Sequence, residues 1–244
     1  MRNVLLGFAL GIVAVPSVVF AQDGPPGFWR ASGDIDLWST YADQKIRETD
    51  HSPDGGGVGI GGQLNLPFYT FIEGKYQYND EDYPYEYSTQ NTYYGSSLDE
   101  QARLGGGLQA YLPLAQATVY GKVDYVHYRF RTPVLEDQYG DLYRAYDNDD
   151  GAGFFGGFRT NLPLLVQFYG EGGYLKLSKS RGPEFKGGVA LPLGSMFRRR
   201  ASIELFAEYE WTRLHANSGN SDTYDNFLPG LMYDYRFGVR VPFY

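Results

Sequence analysis

The chain is 244 residues long, without cysteine and with a formal net charge of −8. These figures exclude disulfides, thiolate metal ligands and a cysteine nucleophile, and they argue against nucleic acid as a partner, because phosphate contacts need clustered Lys and Arg. A mean hydropathy of −0.40 excludes a bundle of membrane helices but leaves a membrane β-barrel open, since such strands show lipid only every second residue.

The N-terminal "MRNVLLGFALGIVAVPSVVFAQDG" is the first element. Arg2 gives a short positive region, Val4 to Phe20 is uncharged and mostly apolar, and Val19-Phe20-Ala21 is a small-x-small cleavage site. We read residues 1–21 as a signal peptide and 22–244 as one domain outside the cytoplasm. Pro16 and the polar Gln22-Asp23-Gly24 argue against a membrane-anchoring helix instead. No later stretch approaches the roughly 20 apolar residues of a spanning helix.

The remainder repeats one theme: "GGVGIGGQLNLPFYTFIEGKYQY", then "RLGGGLQAYLPLAQATVYGKVDY", then "GFFGGFRTNLPLLVQFYGEGGY". Leu66-Pro67, Leu112-Pro113, Leu162-Pro163 and Leu191-Pro192 each end one alternating run and precede another, and Val241-Pro242 closes the series. Proline lacks an N–H and belongs at strand ends and turns. The spacing predicts ten strands, at 30–42, 56–66, 68–79, 100–112, 117–130, 152–162, 165–177, 184–191, 201–214 and 231–243. Eight is the alternative if 184–191 and 201–214 do not span. Longer polar loops are expected at 43–54, 80–98, 132–151, 179–183 and 216–229. Short turns at one end and long loops at the other match outer-membrane barrels.

The alternation assigns the faces. Glu73, Lys75, Lys122, Asp124, Glu171, Glu204, Glu208 and Glu210 share the polar phase with Arg103, Gln109, Arg159, Lys186, Arg236 and Arg240. Ile72, Leu104, Leu108, Val119, Val123, Phe158, Phe168, Leu205, Phe237 and Val239 take the apolar phase. A soluble sandwich also alternates. Glycine on both faces, suited to a strongly curved sheet, weighs against it. So do Tyr76, Tyr125, Tyr174, Tyr209 and Trp211, placed as a girdle at the lipid–water boundary. Charges of both signs on one face imply walls that pair across an interior. The expected fold is therefore all-β: a transmembrane antiparallel up-and-down β-barrel.

The closing "YRFGVRVPFY" resembles the final strand of bacterial outer-membrane β-barrel proteins, which ends on an aromatic residue read by the barrel assembly machinery. Here the apolar phase runs in register with Phe243, leaving Tyr244 as one extra residue. The whole mature chain resembles the small surface barrels of the opacity-protein and OmpA-membrane-domain type, with one more hairpin. That resemblance implies a cell outer membrane location. Its implied partners are outer-membrane lipids, lipopolysaccharide, the barrel assembly machinery during biogenesis, and an extracellular ligand.

Chemistry is hard to find. An omptin-like rim protease would draw on Asp50-His51 with Asp80, Glu81 and Asp82, but that family's acid pair and Asp-x-His spacing are absent from the sequence. His127 falls in the lipid-facing register near the girdle and His215 near a loop start. "DNDDG" at 147–151 lacks the Glu of a calcium loop, Phe158 standing in its place, and reads as a solvated loop tip. We expect no catalytic, cofactor or metal residues. The expected role is a non-enzymatic surface barrel, structural or adhesin-like, acting through the Tyr- and acid-rich loops "NDEDYPYEYSTQNTYYGSS" and "EDQYGDLYRAYDNDD". A narrow porin-like channel is the alternative.

Overall fold

The computed structural model describes residues 32–46, 54–82, 97–131, 135–136, 142–143, 146–160, 166–193, 203–217 and 229–243. The proposed signal peptide, and with it Asp50 and His51, lies outside them. Ten antiparallel strands close one sheet: β1 (Ser32–Ile46), β2 (Asp54–Leu66), β3 (Thr70–Asp82), β4 (Ser97–Leu112), β5 (Ala117–Arg131), β6 (Tyr146–Thr160), β7 (Gln167–Leu177), β8 (Ser180–Pro192), β9 (Glu204–Thr212) and β10 (Pro229–Phe243). Each pairs with its neighbours in sequence, and β1 completes the ring against β10 from Gly33↔Phe243 to Lys45↔Leu231. Closure pairs the edges that an open sheet would leave bare, which hydrocarbon does not tolerate.

The Leu-Pro pairs behave as their chemistry requires. Leu66 pairs with Thr70 around a turn at Pro67, Phe68 and Tyr69. Phe68 and Tyr69 adopt φ of 63° and 60°, a left-handed conformation unusual for aromatic residues. The turn is fastened by Thr70 Oγ1 donating to Pro67 O at 2.8 Å and by Gln109 N donating to Tyr69 O at 2.8 Å. Leu112 pairs with Ala117 around a second such turn, and Pro192 is the last residue of β8. Leu162-Pro163 lies outside the described residues.

At the other end the boundaries depart from expectation. Strands β3 to β6 run further than the polar sequence implied, and "DNDD" belongs to β6 rather than to a loop tip. Asp147↔Phe130 and Asp150↔His127 are ladder pairs, so polar composition alone misplaced this start. The loop expected at 179–183 is instead a tight turn at Ser178 and Lys179. Buried Asp149 organises it, accepting from Ser178 Oγ at 2.9 Å, Lys179 N at 2.8 Å and Ser180 Oγ at 2.6 Å.

Outside the barrel stands an apolar belt that includes Leu104, Leu108, Val123, Phe154, Phe168, Leu205 and Phe237, with Leu104 66% and Phe237 61% exposed. So much bare hydrocarbon surface on a closed sheet requires lipid around it. Tyrosines follow along neighbouring strands: Tyr41 pairs with Tyr235, which pairs with Tyr209.

Candidate functional site in the barrel lumen

Across the lipid-facing span the polar phase of the strands turns inward, as the alternation predicted, and opposite walls pair. Arg103 on β4 reaches Glu184 on β8 in a two-pronged salt bridge, with Nη2–Oε2 at 2.5 Å, and also Glu210 on β9 at 3.3 Å. Lys75 on β3 holds Glu210 at 2.9 Å. Arg236, 1% exposed, contacts Glu208 and Glu210 at 2.7 Å and Asp234 at 2.8 Å. Its Nε donates to Gln77 Oε1 at 2.6 Å, which also receives Trp38 Nε1 at 3.0 Å. A charge taken out of water must be paired and hydrogen-bonded to be tolerated, and these are.

A second network lies nearer the short turns. Lys122 joins Glu73, Glu171 at 3.0 Å and Asp124 at 3.2 Å, while Glu171 also takes Lys186 at 3.2 Å and Tyr120 Oη at 2.8 Å. Below it Arg240 grips Asp36 with two bonds of 2.8 Å, and Arg159 approaches Asp34 at 3.8 Å. Between these groups is a partly open cavity, lined by Asp34, Trp38, Arg159, Lys186, Glu208 and Arg240 among others.

The lumen is not polar throughout. Toward the long-loop end Leu98, Val126, Tyr128, Phe130, Phe155, Leu175, Leu177, Leu214 and Met232 form one buried cluster. Val126, Tyr128 and Phe130 continue the inward phase of Lys122 and Asp124, whereas His127 and Arg129 continue the outward phase of Val123 and Tyr125. Past the tyrosine girdle the two faces exchange character. In lipid a strand must be greasy outside. Beyond the lipid the ordinary rule of soluble proteins returns, with the apolar side chains inside. The paired charges expected inside thus hold across the lipid-facing span and give way to apolar side chains beyond it. The signal was present in "KVDYVHYRF", where the phase flips after Asp124.

A further determinant escaped sequence reasoning. Five inward aromatic residues lie over the glycine they pair with on the next strand: Trp38↔Gly59, Tyr120↔Gly157, Phe155↔Gly173, Tyr169↔Gly188 and Phe206↔Gly238. A Cβ on Gly59 would lie 2.2 Å from the Trp38 indole, and one on Gly157 would lie 2.5 Å from Tyr120 Cζ. These glycines are seats for rings folded over the neighbouring strand, a tighter requirement than the general curvature expected of them. Register, which sequence alone does not supply, is what matches ring to seat.

The other candidates fall at the rim. His127 faces outward, as expected, and pairs with Asp150, which also accepts from Tyr125 Oη at 3.0 Å. His215 is half-buried in a short ladder with Arg181. Asp80 is exposed, 3.6 Å from Arg131 Nη1. The side chains of Glu81 and Asp82, like Asp50 and His51, lie outside what is described. Among the described residues no group of three or more His, Asp or Glu is placed to hold a metal ion.

The closed sheet, its bare apolar belt and its ion-paired interior define an outer-membrane β-barrel protein of ten strands. No family model and no curated protein matches the sequence. Among solved structures the fold is similar to Neisserial surface protein A, at 11% identity over 86% of this chain and 96% of that one, with a TM-score of 0.36. It is similar also to the NanC porin, at 12% identity, coverage of 85% and 98%, and a TM-score of 0.40. OccAB1 of Acinetobacter baumannii gives 9%, 89%, 97% and 0.33 in the same order. The class rests on this chain's own geometry.

Proposed function

We propose that this protein is a non-enzymatic barrel of the cell surface, structural or adhesin-like, whose lumen is plugged and whose work is done by its Tyr- and acid-rich loops. In this reading the signal peptide over 1–21 directs export, the barrel assembly machinery inserts the chain, and the long-loop end faces outward. One observation carries it. Salt bridges that span the lumen and a buried apolar cluster occupy its outer half together. Tyrosine-rich loops suit recognition, since a tyrosine offers a rigid flat surface and a hydroxyl together. The test is purified protein in planar bilayers: no sustained conductance is expected, and stable nanosiemens openings would overturn the reading.

A second reading, a narrow channel for small solutes or ions, draws on the charged cavity in the short-turn half. It requires the outer cluster to part. Were it correct, Arg159→Glu would shift the reversal potential of the current.

A further inference from the structure

The faces exchange character past the girdle, and the polar side chains that then appear outside are not evenly mixed. On the β4–β6 wall the outward groups have partners: Arg129 pairs with buried Asp99 at 2.7 Å and with Glu100, and His127 with Asp150. On the β7–β9 wall they do not. Lys176 is the outward residue following Tyr174 on β7, and its ladder partner on β8 is Arg181. Arg213, just past the end of β9, donates its backbone N–H to Pro183 O at 3.0 Å, next to Arg181 in the outward phase of β8. All three side chains are exposed, and none forms an ion pair among the described residues. Asp150, the outward carboxylate on adjoining β6, is occupied by Tyr125 and His127. Lys179, at the hairpin tip, is occupied by Asp147. Directly below stand the outward rings of Tyr174, Phe185 and Trp211, the last two stacked at 5.5 Å.

Three unpaired cations above an aromatic shelf, on a chain of net charge −8, meet what that depth of a membrane offers: acyl chains below and anionic headgroups above. We propose that Lys176, Arg181 and Arg213 form a docking site for the phosphates of a phosphorylated glycolipid in the outer leaflet, with Phe185 and Trp211 lying against its acyl chains. Guanidinium groups bind phosphate through paired N–H donors, and the site would lose affinity as salt rises. The inference rests on the outward orientation proposed above for the long-loop end. It is independent of the plugged lumen, so its failure leaves conductance behaviour untouched.

The experiment is native mass spectrometry of the detergent-purified protein with bisphosphorylated lipid A, its dephosphorylated form and inorganic phosphate. The wild type should retain one bisphosphorylated molecule at least tenfold more tightly than the dephosphorylated one. The triple variant Lys176→Gln, Arg181→Gln, Arg213→Gln should lose that preference, with its heat-modifiable mobility confirming a folded barrel. The charge-preserving Lys176→Arg should keep it. If the triple variant does not fold, a wild-type salt series decides: the preference should vanish with rising salt. Equal retention of the two lipids, retention by the folded triple variant, indifference to salt, or displacement by equimolar inorganic phosphate would each overturn the proposal.

Discussion

Arg103 on β4 and Glu184 on β8 stand on opposite walls of the barrel, four strands apart, yet share a two-pronged salt bridge while 5% and 1% exposed. The bridge ties the two walls through the lumen, and Glu210 and Tyr128, whose Oη lies 2.7 Å from Arg103 Nη2, extend it. Arg103→Met removes the cation and strands Glu184. We expect a loss of about 3–5 kcal/mol, the usual consequence of breaking a buried pair. Replacing Glu184 by Met as well should recover most of it, because Glu210 keeps Arg236 and Lys75. Urea unfolding in micelles, followed by tryptophan fluorescence, measures both. A single variant within 1 kcal/mol of wild type would refute the coupling.

The apolar cluster above that bridge makes a separate prediction. Phe130 is 1% exposed and packs edge-on to Tyr128 at 6.0 Å between ring centroids. Phe130→Ala should cost about 3–5 kcal/mol. If the plug is what seals the barrel, the double variant Tyr128→Ala, Phe130→Ala should also pass current in planar bilayers where the wild type does not. A silent double variant would assign the seal to the ion network instead.

How far the sequence could be read depends on which facts are local. Alternation is local, so the inward set from Glu73 to Arg240 and the outward set from Ile72 to Val239 were legible, as were the turns at Pro67 and Pro113. Pairing across the lumen is not local. Arg103 could have met any of several inward acids, and only closure with its particular stagger selects Glu184. The start of β6 was missed because Asp147 to Asp150 are poor strand formers judged singly. They are held there by the β5 ladder and by the turn that Asp149 fastens. The tight 178–179 turn was hidden for the same reason, its polar residues resembling a long loop.

The exchange of faces sets a boundary that substitution can locate. Val123 lies outward in the apolar belt, 50% exposed, and Tyr146 lies outward beyond the girdle at the same 50%. Equal exposure conceals different solvents. Val123→Arg places a charge in hydrocarbon and should cost about 2–4 kcal/mol if near the midplane. Tyr146→Arg stays in water or headgroups and should cost about 1 kcal/mol, from losing the Arg129 guanidinium 4.8 Å over its ring and facing Arg131 across the ladder. Equilibrium unfolding in lipid vesicles compares the two. Equal costs would mean that the lipid boundary does not fall where the faces exchange.

Ring and seat give the last prediction. Tyr120 folds over Gly157 and holds Glu171 through its hydroxyl at 2.8 Å. A side chain at position 157 would meet both that ring and, 2.6 Å away, the backbone oxygen of Gly170. Because the backbone cannot yield cheaply, Gly157→Val should cost about 1–3 kcal/mol through overpacking. Tyr120→Phe keeps the ring seated and removes only the bond to Glu171, which Lys122 and Lys186 continue to satisfy, so about 1 kcal/mol or less is expected. Folding yields into vesicles should rank wild type, then Tyr120→Phe, then Gly157→Val. If Gly157→Val folds as well as wild type, the glycine serves only the curvature of the sheet and not the ring beside it.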